Sequence, residues 1–205
     1  MTIVADGIRY GIGGFAGGLL AAWLTGVPLT AVPFFVFAVF CLWFFRDPER
    51  ITPEGPVAVS PADGKVMAVK NETGRTRISI FLNVFDVHVN RTPVGGTITS
   101  VQYKRGDFLV ASKEVASAQN EQNVVTVRLQ DGVEVTFKQI AGLIARRIVF
   151  NRQQGEILRM GERIGMMKFG SRMDVLLGPE WNVIVNPGER VIAGTSLLAR
   201  RKDVA

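Results

Sequence analysis

The chain has 205 residues, of which 47% are hydrophobic and 20% are charged, enough for one globular domain with an appendage. Its single cysteine excludes an intrachain disulfide framework, and its single histidine argues against a zinc site. The formal net charge of +6 indicates an anionic partner, and the uncharged segment described next favours a lipid surface over nucleic acid.

The first predicted element is a helical hairpin in a segment without charges. No charged residue occurs between Arg9 and Arg46, and one bilayer span needs roughly 20 apolar residues. We predict two short helices, at 8–25 and 31–45, joined at 26–30, where glycine and proline interrupt the apolar run. Such a pair either crosses a bilayer twice or dips into one leaflet.

The flanks of this hairpin predict its orientation. Arg9 precedes it, and Arg46 and Arg50 follow it, so both ends and the rest of the chain are expected on the cytoplasmic face of the cell membrane. A cleaved signal peptide is the alternative, but the apolar run is too long for one. The first helix also carries glycines spaced for close helix packing, namely Gly13/Gly17 and Gly14/Gly18.

The sequence changes character after the hairpin, which predicts a membrane hairpin with its connector at 1–50 and a β-rich domain at 51–205. Short β-prone stretches alternate there with Gly, Pro, Asn and Asp. The predicted strands are 65–70, 77–84, 87–90, 96–103, 123–129, 134–140, 163–169, 174–177, 182–185 and 196–200. A helix is arguable only at 143–150. The predicted fold class is mainly β, as a barrel or sandwich.

Two segments of this domain, 62–69 and 186–194, resemble each other and the strand-turn-strand hairpins of lipoyl and biotinyl carrier domains. Those domains modify a lysine at a hairpin tip, often beside methionine, and Lys168 follows Met166 and Met167. A membrane-anchored carrier or binding module that is modified on Lys168 is therefore an alternative function.

The single histidine, His88, follows an apolar stretch that begins near Ile80. If 80–90 is one strand, alternate side chains share a face, and that face changes from apolar at Ile80 to polar at Asp86, His88 and Asn90. Such a strand runs from a core into a cleft. A hydrogen-bonded core histidine without a catalytic role is the alternative.

The pair Gly170-Ser171 is a candidate source of a cofactor, because the sequence has no other evident electron sink. A serine hydroxyl can attack the preceding carbonyl, and the resulting ester can eliminate and hydrolyse to a pyruvoyl group. This needs a base, for which His88 is the candidate, and a carboxylate to orient the imidazole, either Asp63 or Asp86.

Together these segments resemble the phosphatidylserine decarboxylase family, in its short prokaryotic type. The resemblance covers nearly the whole chain and is carried by 44–50 (FFRDPER), 60–64 (SPADG), 85–91 (FDVHVNR) and 165–172 (GMMKFGSR). It implies self-cleavage into a large subunit, 1–170, and a small subunit, 171–205, that stay together. Ser171 would become the pyruvoyl group, and the family's Asp-His-Ser arrangement falls on Asp63, His88 and Ser171.

The implied reaction converts phosphatidylserine to phosphatidylethanolamine and CO2 without a metal, and the implied partners are the bilayer and the lipid substrate. A related serine lipid, archaetidylserine, is an alternative substrate. Arg91 and Arg172 are the candidates for binding the phosphodiester or the carboxylate, and a structural role is the alternative for each. The sequence departs from longer members of the family, because Arg91 stands near their second histidine and Phe-Gly-Ser-Arg replaces Leu-Gly-Ser-Thr.

Overall fold

The computed structural model describes residues 2–143, 147–168 and 170–202, and the chain divides into two compact units, Met1–Glu49 and Arg50–Ala205. The first unit contains β1 (Thr2–Ile3), α1 (Ala5–Thr25), a 3-10 turn (Pro28–Ala31), α2 (Val32–Phe44) and β2 (Arg46–Asp47). The two predicted helices and the break between them are therefore confirmed. The short strands β1 and β2 pair antiparallel at the base of the hairpin.

A stripe of glycines lets α1 and α2 pack closely. Gly7, Gly11, Gly14 and Gly18 are the buried residues of α1, and side chains there would collide with α2 or its C-cap residue Phe45. Gly14 and Gly18 were predicted at this interface. Gly13 was placed there wrongly, because a side chain on it would meet nothing within 4 Å.

Most large apolar side chains of this unit lie on its surface rather than between its helices. No helix in the described part of the chain is both long and apolar enough to span a membrane. The exposed side chains are Ile8, Tyr10, Ile12, Phe15, Leu19, Leu20, Trp23, Leu24, Val27, Leu29, Val32, Phe34, Val36, Phe37, Val39, Leu42 and Trp43.

The second unit is mainly β-structure, which confirms the mainly β part of the predicted fold class. Its described residues contain one short helix, α3 (Ala116–Gln119). Its strands are β3 (Val57–Val59), β4 (Gly64–Glu72), β5 (Arg75–Leu82), β6 (Val89–Arg91), β7 (Gly96–Lys104), β8 (Gln122–Arg128), β9 (Glu134–Ile140), β10 (Ile148–Phe150), β11 (Ile157–Leu158), β12 (Arg163–Met167), β13 (Ser171–Leu177), β14 (Trp181–Val183), β15 (Arg190–Val191) and β16 (Leu197–Arg201).

These strands form one large sheet and two small ones around a common apolar core. The large sheet has eight strands in the order β11-β7-β8-β9-β13-β5-β4-β15, and the small sheets are β10-β12-β6 and β14-β16-β3. Residues from all three sheets, such as Phe137, Ile164 and Leu198, are fully buried in one cluster. The arrangement places β13 in the middle of the large sheet, hydrogen-bonded to β5 on one side and β9 on the other.

Two local predictions need correction or comment. The helix considered at 143–150 is wrong, because Ile148–Phe150 is strand β10, paired with β12; residues 144–146 lie outside the described residues. The strand predicted at 163–169 ends at Met167, and Phe169 also lies outside the described residues. The similar segments 62–69 and 186–194 are neighbours, since β4 pairs with β15 through Arg190 and Lys65.

Candidate active site

The bond between Gly170 and Ser171 lies at the entrance to the central strand of the large sheet. Ser171 is the first residue of β13 and pairs with Leu82 of β5. Gly170 has a φ of +62°, a left-handed conformation that favours glycine. The backbone thus turns sharply at Gly170, and from Ser171 onward it is part of the hydrogen-bonded large sheet.

His88 contacts Gly170 from the segment that connects β5 to β6, and not from the strand that was predicted. The continuous strand at 80–90 is wrong, because β5 ends at Leu82 and a turn follows it. In that turn the Asp86 N–H donates to the Asn83 carbonyl at 3.0 Å, and the Asn83 N–H donates to the Asp86 carboxylate at 2.8 Å. The turn redirects the chain, so His88 is fully buried just before β6.

The contacts of the imidazole assign its tautomer. Nδ1 lies 2.9 Å from the main-chain carbonyl of Asp86, and a carbonyl only accepts, so Nδ1 carries the proton of the neutral ring. Nε2 is then the acceptor, and the Gly170 N–H donates to it at 3.4 Å. The unprotonated Nε2 of His88 therefore faces Gly170, the residue whose carbonyl Ser171 is predicted to attack.

The two candidate carboxylates make other contacts. Asp63 accepts from Arg50 at 2.8 and 3.0 Å and from the Ala193 N–H at 2.8 Å. The Asp86 carboxylate accepts from Asn83 and pairs with Arg190. At Nδ1 the group that orients His88 is thus the Asp86 main chain, and the catalytic roles of both carboxylates stay predictions.

The Ser171 hydroxyl is fully buried and has no hydrogen-bond partner within the described ranges 2–143, 147–168 and 170–202. A buried hydroxyl without a partner costs about 1–3 kcal/mol, so the burial of this oxygen needs an explanation. Gly142, which the sequence did not single out, packs on the adjacent carbonyl. A Cβ added to Gly142 would overlap the carbonyl oxygen of Gly170.

Arg172 projects from the face of β13 opposite to Ser171, into a buried polar cluster. Its guanidinium donates to Asp174 at 2.7 Å, to the Ser79 hydroxyl at 2.8 Å and to the Lys113 carbonyl at 3.2 Å. Arg77 donates to the same Ser79 hydroxyl at 2.9 Å, and both arginine side chains are only 2% exposed. This geometry supports the structural alternative for Arg172 rather than substrate binding.

Charges within this cluster reinforce one another. Burial by itself would raise the pKa of the Glu114 carboxyl, but a hydrogen bond from Arg77 and the charges of Arg77, Arg172 and Lys70 together hold that pKa below its usual value. Alternation along β13 would have placed Arg172 and Asp174 on one face, but only the register against β5 shows which side chains meet them.

Arg91 and Lys168 also have defined surroundings. The Arg91 guanidinium donates to the Gly161 carbonyl at 3.0 Å and its side chain packs against Gly194, so substrate binding by Arg91 stays a prediction.

Lys168 is only 6% exposed, whereas a carrier domain presents its modified lysine to solvent. The geometry therefore does not favour the carrier alternative.

Comparison with known proteins covers all of these residues. The family model described as phosphatidylserine decarboxylase matches residues 37–199. A phosphatidylserine decarboxylase proenzyme of Solibacter usitatus is 64% identical over 203 residues, which cover 99% of this chain and 98% of the relative. Proteins of the same name from Syntrophus aciditrophicus and Solidesulfovibrio magneticus are 46% identical over 185 residues (86% and 84% covered) and 45% identical over 208 residues (98% and 97% covered).

Proposed function

The chain belongs to the phosphatidylserine decarboxylase family, and we propose that it removes CO2 from phosphatidylserine with a pyruvoyl group made from its own Ser171. Its relatives are named proenzymes, which supports the proposal that the chain is a precursor that processes itself. The observation that carries the proposal is the acceptor Nε2 of His88 facing Gly170, beside the unpartnered hydroxyl of Ser171.

Self-cleavage follows from these groups in four balanced steps. Nε2 of His88 takes the Ser171 hydroxyl proton while Oγ attacks the Gly170 carbonyl carbon. The Gly170–Ser171 C–N bond breaks, the amine leaves with a proton, and an ester remains. Loss of the Ser171 α-proton breaks the Cβ–Oγ bond, which gives the Gly170 carboxylate and a dehydroalanine. Water then replaces the nitrogen of that residue, ammonia leaves, and the new subunit begins with a pyruvoyl group.

The surroundings of Ser171 fit this group. A pyruvoyl group at position 171 would supply the electrophile and the electron sink that decarboxylation of a serine lipid needs. Ser171 is fully buried on the core face of β13, which limits the access of bulk water to that chemistry. We expect His88 to return a proton to the carbon that loses CO2, and the contact of its Nε2 with the Gly170 N–H, just before β13, supports this role.

The strand order supports a stable pair of subunits after the cut. In the proposed small subunit, β13 lies between β5 and β9, β15 pairs with β4, and β16 pairs with β3. All four of those partner strands belong to the proposed large subunit. Separating the subunits would therefore break the centre of the large sheet, which is why we propose that they remain associated.

Intact mass after denaturation tests the proposal directly. The purified protein should give two chains, 1–170 and 171–205, with the second lacking an ordinary N-terminal serine and reacting with a carbonyl reagent. It should also release CO2 from phosphatidylserine. A mature protein that decarboxylates this lipid as one chain would overturn the proposal.

Replacing His88 with Gln should slow self-cleavage by about 100-fold or more, because positioned general bases contribute roughly 10²–10⁴-fold. Gln retains much of the size of the imidazole but cannot take the hydroxyl proton. Freshly translated chain, followed on a denaturing gel, measures the rate. Ser100→Ala, at a half-buried residue of β7 outside this turn, is the control, and a His88→Gln chain that cuts at the wild-type rate would remove His88 from the mechanism.

We also propose that the hairpin of α1 and α2 holds the enzyme on the cytoplasmic face of the cell membrane. Its many exposed apolar side chains support this, since burying each one in lipid is worth about 1.5–3 kcal/mol. A membrane-bound site lets the acyl chains of the substrate remain in lipid.

The membrane proposal predicts that the double variant Trp23→Glu/Val39→Glu binds vesicles at least about 100-fold more weakly, at tenfold per 1.4 kcal/mol. Trp23 and Val39 are 78% and 67% exposed, so the hairpin itself should stay folded. Flotation with phosphatidylserine-containing vesicles measures the bound fraction. Ile157→Glu, at a residue of the β unit that is 79% exposed, is the matched control, and equal flotation of both variants would contradict the proposal.

A further inference from the structure

Three buried amide side chains line the interior of the β unit at the Ser171 end of the large sheet. Asn90 and Gln139 are fully buried and Asn123 is 2% exposed. Neither the self-cleavage steps nor the assigned role of His88 uses them. Buried amides are costly unless they are fully hydrogen-bonded, so each one needs a partner or a purpose.

Their hydrogen bonds form a chain whose direction is determined by a main-chain carbonyl. Gln139 Nε2 lies 3.4 Å from the carbonyl oxygen of Val149. Because a carbonyl oxygen only accepts hydrogen bonds, the Gln139 amide must direct its nitrogen, and not its oxygen, toward Val149. The same nitrogen donates to Asn90 Oδ1 at 3.0 Å, and Asn123 Nδ2 donates to Gln139 Oε1 at 3.2 Å. Flipping either end amide would place two donors or two acceptors together.

This direction of the hydrogen-bond chain leaves one N–H donor group, Nδ2 of Asn90, without an acceptor. The Oδ1 atom of Asn90 accepts from Gln139, and the buried Nδ2 has no acceptor among residues 2–143, 147–168 and 170–202. An unsatisfied buried donor is rare and calls for an explanation such as a ligand. Among the described residues, the Ser171 hydroxyl at the start of β13 is also buried and unpartnered.

The sheet register places the hydrogen-bonded pair Asn90 and Gln139 at the end of the unit where β13 begins. Gln139 pairs with Met173, which shares the core face of β13 with Ser171, since Met173 and Val175 both lie in the core cluster. Asn90 follows His88 by two residues and pairs with Gly165 of β12. The imidazole that contacts Gly170 and the spare amide donor thus come from the same short segment.

We propose that Nδ2 of Asn90 binds a carboxylate oxygen of the serine headgroup once the Gly170–Ser171 bond is cut, an inference that rests on the proposed function. The carboxylate is the group that distinguishes substrate from product, and a buried N–H donor is suited to it. Arg172, the cation nearest in sequence to the pyruvoyl position, is committed to Asp174 and Ser79.

A neutral donor also suits the reaction. Nδ2 positions the carboxylate but does not carry the full positive charge of a guanidinium. The negative charge of the carboxylate is therefore only partly compensated in the buried site. Loss of neutral CO2 removes that charge, so the transition state is favoured relative to the bound substrate. Asn90 is in this sense a substrate-binding residue that sets specificity for a lipid with a free carboxylate.

Replacing Asn90 with Leu tests this, because Leu has a similar size and no donor. The variant should still cut itself into two chains, but its KM for phosphatidylserine should rise by roughly ten- to a hundredfold, the usual effect of losing a hydrogen bond to a charged group. Inhibition by phosphatidylethanolamine, which lacks the carboxylate, should be unchanged. Asn123→Leu, at the other end of the amide chain, keeps the Asn90 donor and should leave KM within about twofold.

The outcomes separate this inference from the proposed function. If the wild-type chain is never cut or releases no CO2, the proposed function fails. If wild type behaves as proposed and Asn90→Leu keeps its KM, or weakens substrate and product equally, the carboxylate assignment is wrong. If Asn90→Leu does not accumulate, Asn90→Asp keeps the acceptor for Gln139, replaces the donor by a carboxylate, and should raise KM at least as much.

Discussion

Ser171→Ala is expected to leave a single uncut chain with no measurable decarboxylation of phosphatidylserine. The alanine has no oxygen to attack Gly170, so neither the ester nor the pyruvoyl group can form. Because enzymes accelerate reactions by at least about 10⁶-fold, loss of the cofactor should reduce CO2 release to the background rate. A denaturing gel and release of labelled CO2 from the lipid measure the two effects.

A control serine makes this result specific. Ser100, half-buried on β7, lies elsewhere on the large sheet, and Ser100→Ala should cut and decarboxylate as wild type does. Binding of the uncut Ser171→Ala chain to vesicles should also persist, since the hairpin is unchanged. Residual CO2 release well above background from Ser171→Ala would show that the electron sink is made elsewhere.

Asp174→Ala should produce the largest loss of stability, by about 3–5 kcal/mol, the usual effect of removing one partner of a buried ion pair. The Asp174 side chain is fully buried and accepts from Arg172 at 2.7 Å and from Ser117 at 2.5 Å, and Arg77 approaches it at 3.4 Å. Its removal leaves two buried guanidinium groups undercompensated. Such a loss is a large part of a typical 5–15 kcal/mol free energy of unfolding.

Urea unfolding of the uncut precursor measures this effect, with Ser171→Ala as the common background so that cleavage does not complicate the transition. The midpoint should fall while the slope with denaturant stays similar. Glu134→Ala removes an exposed pair with Arg128 and should cost no more than about 1 kcal/mol. If the two variants unfold at the same midpoint, the buried cluster does not stabilise β13.

Predictions that depend on short stretches of sequence succeeded best. The uncharged run between Arg9 and Arg46 identified both helices of the hairpin, and the alternation of β-prone residues with turn residues identified most strands of the large sheet. Errors arose where a short apolar run suits either structure, as at 148–150, or where a side chain builds a turn. The Asn83–Asp86 turn interrupted a pattern that read as one continuous strand.

Sequence alone identified the family and predicted the reacting bond and the base, because Gly170-Ser171, His88 and their flanking motifs are contiguous stretches that can be read without coordinates. Only the tertiary structure decided what each side chain contacts: the Gly170 N–H that donates to His88, the buried cluster around Arg172, and the Gln139 amide that donates to Asn90. The physical reason is that these contacts join distant residues, such as His88 and Gly170, which are 82 positions apart. Strand order and register bring such pairs together, and neither is encoded in any single stretch of the chain.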